Sequence, residues 1–470
     1  MKDLNGMENQ DLMQKIVSLA KRRGFVFQGS EIYGGLAGTY DYGPLGTLLK
    51  NNIKDSWLKK FVHSRTDMYL LDAAILMNQN VWKATGHVDH FADPLVVCEK
   101  CNFRERFDML ILTETKEEGM VLLPSNPKEQ KEMLDGLNIK CPKGGSHVWS
   151  TPRQFNMMLA TKVGASEDSA ATSYLRPETA QGIFVNFKNV VDSMNPKIPF
   201  GIAQIGKAFR NEITPRDFIF RLRELEQMEI EYFVKPSEWE KNFEYWRDEI
   251  LEWMESVGLD MKKIHNVEIG DGDRAHYSAR TIDFEFEYPF GQKELYGLAY
   301  RGDYDLSRHA DASGQKLQYV DQGEEGSEVY VPHVIEPSFG LDRTVLALLV
   351  SSYKEDNMGD EPRVYLSLDP KIAPYKIAVS PLLKNKEDLV EKSKNLFGKL
   401  KSEFGNVVFD DNGNIGKRYR RQDEIGTPFC VVVDFESLED ESVTIRHRDS
   451  GEQERLKIED LISYFKEKLA

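Results

Sequence analysis

Two long strand-like segments joined by a charged loop constrain this chain most. Phe200 to Ile205 runs apolar, Gln227 to Val234 alternates, and the loop between them centres on Thr214 to Phe220. This layout predicts an antiparallel pair. The first strand ends in Phe209-Arg210-Asn211-Glu212. Residues two apart on a strand share a face, so Arg210 and Glu212 point to one side of the sheet. Arginine offers a forked donor suited to phosphate, and a neighbouring glutamate suits an exocyclic amine. Alone, such an Arg-x-Glu more often reads as a salt-bridged sheet edge. The stretch Gly201 to Ala208 nearly matches a phosphate-binding loop, but Ala208 lacks the hydroxyl that would hold Mg²⁺. No Gly-x-Gly-x-x-Gly run supports a dinucleotide fold.

The surrounding pattern extends the sheet. Thr281 to Tyr288 alternates strictly, Trp239 to Val257 has helical periodicity, and Val334 to Val350 passes from a strand into an apolar helix near Gly340. Arg343 then falls in the first helical turn, where free amides favour anions. Near the N-terminus, Leu12, Ile16, Leu19 and Ala20 share a helical face, and Gly24 reads as a stop. A boundary is marked at 360–374 by Asp360, Pro362, Pro370 and Pro374. Beyond it the pattern is strand (375–379), helix (387–404), strand (407–409), loop, two strands (429–434, 442–446) and a last helix (458–469), a self-contained α/β domain. The loop carries a basic cluster, Lys417, Arg418, Arg420 and Arg421 around Tyr419.

At roughly 150 residues per domain, 470 residues suggest about three domains. The balance of 61 basic and 77 acidic residues, net −16, argues against a nonspecific polyanion binder, yet leaves room for a local basic face. No apolar run is long enough to span a membrane, and the polar, acidic N-terminus lacks a secretory or transit pattern. Four cysteines suit a reducing compartment, so a cytoplasmic protein is expected. Residues 98–150 hold three of those cysteines and two charged stretches, 114–119 and 128–132, and read as an insertion.

Taken together, the blocks resemble the class II aminoacyl-tRNA synthetases, and within them the dimeric glycyl-tRNA synthetases. The resemblance is carried by Ile32 to Gly35, Asp41 to Gly46, Leu71 to Leu76, Gly86-His87, Leu175 to Phe184, Phe209 to Pro215, Glu336 to Gly340 and Gly416 to Pro428. It spans nearly the whole chain. It implies an α+β fold: a class II antiparallel sheet flanked by helices, with a C-terminal α/β anticodon-binding domain. The implied division is 1–97 and 151–365 for the catalytic domain, with motif 1 at 41–76, motif 2 at 209–229 and motif 3 at 336–348. Residues 98–150 form a zinc-knuckle-like insertion and 366–470 the anticodon-binding domain. A homodimer built partly through 41–76 is implied.

The implied chemistry is attachment of glycine to tRNA(Gly) at the expense of ATP, through a glycyl-adenylate. Arg210 would hold the α-phosphate, Arg343 the γ-phosphate, and Glu212 the adenine amine, with Asn211 between. Phe220, Arg221, Leu222, Arg223, Glu224 and Leu225 would line the nucleotide on the loop side. Glu294, Leu295, Gly340, Leu341 and Asp342 would line it on the other. Mg²⁺ would bridge the phosphates near Glu294 and Glu336. For glycine, the resemblance implies Glu178, Glu226 and Glu336 around the ammonium, Ser338 beside them and Arg106 on the carboxylate, with Leu225, Gln227, Met228, Glu229, Pro337, Phe339 and Gly340 completing the pocket. Leu225 stands where most relatives carry an aromatic expected to stack on adenine. In the insertion, relatives often bind zinc with two Cys-x-x-Cys pairs. Here the second pair has lost a cysteine, and Cys98, Cys101, Cys141 and His147 are the candidate ligands. His87 and His90 are expected to order a loop rather than bind metal. Lys417, Arg418, Arg420 and Arg421 are the expected tRNA contacts. The competing reading is a non-catalytic synthetase-like accessory protein that binds nucleic acid; such proteins lose the motif arginines, and Arg210 and Arg343 are both present.

Overall fold

The computed structural model describes residues 2–115, 124, 126–164, 172–272, 274–275, 277–323, 326–358 and 361–469. Its centre is a seven-stranded sheet built from β1 (Met68–Leu70), β2 (Phe200–Phe209), β3 (Glu224–Val234), β4 (Ile264–Glu268), β5 (Arg280–Tyr288), β6 (Gly291–Gly302) and β7 (His333–Gly340). The order is β4-β5-β6-β7-β3-β2-β1. Every pair is antiparallel except β1 with β2, which is parallel. The segment that imitates a phosphate loop is an uninterrupted part of β2.

The sheet has two unlike faces, and the two-residue period of β3 shows why. Met228, Ile230 and Tyr232 are buried against a helical layer formed by α2 (Pro44–Leu58), α3 (Trp239–Ser256) and α4 (Leu341–Ser352). Trp57, Phe61, Trp253, Tyr296 and Phe339 interlock there, with ring centroids 4.9–5.9 Å apart. Each such side chain taken from water contributes on the order of 2 kcal/mol. On the opposite face β3 presents Leu225, Gln227, Glu229 and Glu231. A polar buried face needs either partners or a function.

After a hairpin, Tyr353–Met358 with Glu361–Leu366, the chain enters a second sheet. The expected boundary residue Pro362 lies inside that hairpin, on a two-stranded edge that tolerates proline; Asp360 lies outside the described residues. The second sheet contains β8 (Ile377–Pro381), β9 (Val407–Phe409), β10 (Phe429–Val433), β11 (Ser442–His447) and β12 (Gln453–Lys457), in the order β9-β8-β10-β11-β12. It has its own apolar core around Val379, Leu396, Val431, Ile445 and Phe465. Helix α5 (Glu387–Phe404) agrees with the sequence pattern.

The basic segment does not. Residues expected in a loop form α6 (Ile415–Ile425), capped by the Asn414 side chain on the Lys417 amide and closed by left-handed Gly426. Asparagine before and glycine after are ordinary helix punctuation. The strand Gln453–Lys457 was likewise not expected from the sequence.

Val96, Phe107, Ile111, Leu134 and Trp149 pack into a separate small core. Of the charged stretch 114–119, residues 116–119 lie outside the described residues. Among the described residues, no helix is long and apolar enough to cross a membrane.

Candidate active site

The polar face of the central sheet floors a cavity of about 500 Å³. Arg106, Glu178, Arg210, Glu212, Phe220, Arg221, Leu222 and Leu225 all border it. So do Gln227, Glu229, Glu294, Leu295, Glu336, Ser338, Gly340, Asp342 and Arg343. The topology explains the convergence. β3 lies between β2 and β7, so the end of β2, the loop to β3 and the start of α4 meet at one rim.

Two arginines mark that rim. Arg343 is in the first turn of α4; its guanidinium lies 4.4 Å from the Phe220 ring centroid and 2.9 Å from a Glu294 carboxylate oxygen. Arg343 holds the Glu294 carboxyl below its usual range. Beside Glu294, burial and the Glu294 and Glu285 charges push Asp283 up to about 7. Arg210 donates through Nε to the Pro177 carbonyl at 3.1 Å and lies 5.7 Å from the Phe91 ring centroid. Glu212 is nearly buried and 3.9 Å from Arg221.

Deeper in lies a cluster of acids. Glu229 accepts from the Thr179 amide (3.0 Å), the Thr179 hydroxyl, Gln227 Nε2 (3.0 Å) and Ser338 Oγ (2.9 Å). Glu178 meets His87 Nε2 at 3.3 Å and Gln181 Nε2 at 3.0 Å. Burial alone would raise the Glu178 carboxyl, but His87, Arg301 and Gln181 together hold it below the ordinary range. His87, at the start of the short helix His87–His90, also meets the Thr85 hydroxyl at 2.7 Å. Burial pushes Glu336 up to about 8; Arg301 opposes this, while the Glu229 and Glu178 charges add to it.

Several expected site residues are engaged within the protein or lie off the cavity. Glu226 borders the cavity, but its carboxylate is held by Lys50 at 2.6 Å and Lys54 at 3.4 Å. Met228, Phe339 and Leu341 belong to the helix-side core, and Pro337 is buried at a register position opposite Leu298. A contiguous motif read as a block ignores strand alternation. Arg223 spends its guanidinium on the Glu212 and Ala37 carbonyls. Glu224 pairs with Lys207 at 3.0 Å in a half-exposed contact. Asn211 pins its amide to the Met157 carbonyl. Asp342 accepts from Tyr42 Oη (2.6 Å) and the Glu226 amide (2.8 Å), tying the start of α4 to residues 42 and 226. Arg106 is held by Asp93 at 2.9 Å and Asp108 at 2.6 Å.

Four cluster members escaped the sequence reading: Arg301, Asp305, Tyr277 and Glu231. Arg301 bonds Glu336 (2.8 Å) and Asp305 (2.7 and 2.9 Å), and its guanidinium lies 3.7 Å from the Tyr277 ring centroid. Glu231, on β3, is fully buried. The signal for Arg301 was available: a lone arginine ends an apolar strand, with Asp305 four residues on, the same kind of cue that singled out Arg210.

Away from the cavity, Cys98, Cys101, Cys141 and His147 bring four donor atoms within 4.8 Å of one another. The His147 ring stacks on Trp149 at 4.5 Å, which fixes its orientation. In α6 the basic cluster is split by the helical period. Lys417 is exposed. Arg418 is 2% exposed and donates to the Pro381, Asp411 and Gly413 carbonyls. That removes Arg418 from the expected tRNA-contact set. Arg421 is bonded to Asp410 and Arg420 to Glu361.

Comparison with known proteins places this architecture. Residues 163–353 match the tRNA synthetase class II core domain (G, H, P, S and T), and residues 376–468 match the anticodon binding domain. The glycine–tRNA ligase of Clostridium acetobutylicum is 50% identical over 471 residues, covering 98% of this chain and all of its own. Those of Caldanaerobacter subterraneus and Geobacillus thermodenitrificans are each 50% identical, over 97% of this chain and 98% of theirs. With half of all positions shared end to end, and both domains matched in order, the chain belongs to the glycine–tRNA ligase family of class II aminoacyl-tRNA synthetases.

Proposed function

We propose that this protein attaches glycine to tRNA(Gly) in two steps: the glycine carboxylate attacks the α-phosphorus of ATP, releasing pyrophosphate, and the terminal ribose hydroxyl of the tRNA then attacks the glycyl-adenylate. The observation that carries the reading is a single cavity with Arg210, Glu212 and Arg343 at its rim and a buried acidic cluster at its floor. The arginines receive the phosphates, where charge develops in the transition state, and Glu212 accepts from the adenine amine. Glu178 and Glu336 meet the ammonium, Ser338 stands two residues from Glu336 on β7, and Arg106, on the cavity wall, would take the amino-acid carboxylate. Because glycine is the smallest amino acid, exclusion of alanine is steric, and overpacking costs about 1–3 kcal/mol. Glu294, on the cavity wall, would help hold Mg²⁺, which would neutralise phosphate charge.

ATP–pyrophosphate exchange with each of the twenty amino acids, without tRNA, tests this. Glycine alone should support exchange. Exchange with another amino acid would overturn the pocket assignment, and none from folded protein would favour a non-catalytic accessory role.

The donor set in the insertion fits a tetrahedral Cys₃His zinc site. Cys98, Cys101, Cys141 and His147 would hold the ion, which supplies a structural cross-link there. Metal analysis of protein purified without chelators should find about one zinc per chain. A homodimer through 41–76 is supported by Leu70 and Leu76, 55% and 49% exposed near the β1 edge, and sedimentation tests it. A cytoplasmic location goes with these substrates.

A further inference from the structure

One buried acid has no part in the chemistry above. Glu231 lies on β3 two residues past Glu229 and on the same face. It has no solvent exposure, and neither carboxyl oxygen has a hydrogen-bond partner among the described residues. The register fixes its neighbour. Glu229 pairs with Ser338 and Tyr232 with Ile335, which sets residue 231 directly across from Glu336. Opposed residues on antiparallel strands hold their Cβ atoms about 4.5–5.5 Å apart. Glu336 places Oε1 on Arg301 at 2.8 Å, but the other two nitrogens of that guanidinium serve Asp305.

The surroundings cannot neutralise both acids. Around them stand Glu229 on β3, Glu178 and Arg176 from the segment before residue 180, Asp305 and His309 from the helix Tyr304–Ser313, Tyr277, His87 and Arg301. On its other flank β2 offers Ile202 opposite Glu231 and Gln204 opposite Glu229, neither charged. Two carboxyls facing each other in such a site do not both ionise.

We propose that Glu231 and Glu336 share a proton beneath the ammonium site, and that the ammonium of glycine displaces it, so glycine binds with release of a proton to solvent. This rests on Glu336 being an ammonium partner, as proposed above. The oxygen–hydrogen bond of the dyad breaks, the proton passes to buffer, and the ammonium charge replaces it. Burial pushes both carboxyls upward, helped at Glu231 by the Glu336 charge and at Glu336 by the Glu229 and Glu178 charges, as a retained proton requires. Glu231 is thus a positioning residue: it acts through Glu336.

Calorimetry of glycine binding in buffers of different ionisation enthalpy counts the proton. Wild type should release about one proton per glycine, and its affinity should rise up to about tenfold per pH unit while the dyad is protonated. In Glu231→Gln the proton count should fall towards zero and the affinity should lose its pH dependence. An equal count in both proteins, or glycine binding without release in wild type, overturns the dyad and leaves the pocket reading standing. Absence of both glycine binding and glycine-dependent exchange in folded wild type overturns both. Should the variant not fold, infrared difference spectra of wild type decide: glycine should abolish a protonated-carboxyl stretching band, and an unchanged band refutes the proposal.

Discussion

Arg301 Nη1 lies 2.8 Å from Glu336 Oε1, and both side chains are almost wholly removed from water, at 1% and 8% exposure. The pair crosses between adjacent strands, since Ala299 faces Glu336 on β6 and β7. It is the principal cationic anchor for the acids of the cavity floor. A buried pair adds little net stability over an apolar replacement, but breaking it leaves an uncompensated charge.

Replacing Arg301 by methionine should therefore be severe. Asp305 would lose both its donors from Arg301, and Glu336 would lose its cation. A loss of about 3–5 kcal/mol is expected, read as a lower urea midpoint. Arg301→Lys should rescue little, because one ammonium cannot reproduce a fork that serves two carboxylates. Recovery to near wild-type stability by lysine would refute this account.

Arg343 should behave differently. It is 25% exposed, packed on Phe220 and paired with Glu294. Its contribution to stability is small, about 1 kcal/mol or less. Its contribution to the reaction is that of a charge stabiliser, so Arg343→Ala should lower the exchange rate by about 100- to 1000-fold. An unfolding midpoint near wild type with a collapsed rate separates the two roles.

Leu225 borders the cavity opposite Ala208 on β2. An aliphatic side chain keeps apolar contact with a base but not π-stacking, and a stacking aromatic is worth about 1–3 kcal/mol against alanine. Leu225→Phe should lower the KM for ATP by about fivefold, the lower end of that range. An unchanged KM in exchange assays would dismiss the stacking argument.

In the C-terminal domain, exposure divides the basic cluster. Lys417→Ala should weaken tRNA charging and reduce the slope of affinity against salt by about one unit, as loss of one phosphate contact does. Arg418→Ala should instead destabilise the domain, since three backbone carbonyls, the buried one of Pro381 among them, lose their donor. A salt slope reduced as much by Arg418→Ala in folded protein would contradict the assignment.

What the sequence showed and hid has a common cause. Period-two patterning revealed β3 and β5, because one face of each must bury apolar side chains. Arg210, Glu212 and Arg343 were legible because each lies at a change of pattern, the first two just past the end of β2 rather than on it, the third in the first turn of α4. Met228 and Phe339 misled because motif adjacency was followed where the pleat alternates. Helix α6 was missed because charge dominated its reading, although Asn414 and Gly426 marked its ends and Arg418, Gln422 and Ile425 recur on its buried face. Glu231 was hidden more deeply, since its place opposite Glu336 is set by strand register that only the fold assembles.

The acids of the floor also fix how stability varies with pH. Folding lowers the Glu178 pKa below its unfolded value of about 4.3. Its stabilisation is present above that value and fades as pH falls through the folded pKa. Glu231 has the opposite sign: folding raises its pKa. Above about pH 4.3 the unfolded chain releases a proton that the folded chain retains, so each further pH unit costs up to about 1.4 kcal/mol until the folded group ionises. Glu231→Gln cannot release that proton in either state. The variant should thus match wild type near pH 4 and gain on it as pH rises to about 8. Urea unfolding midpoints of the two proteins across this range measure the difference, and parallel curves would show that Glu231 holds no proton in the folded protein.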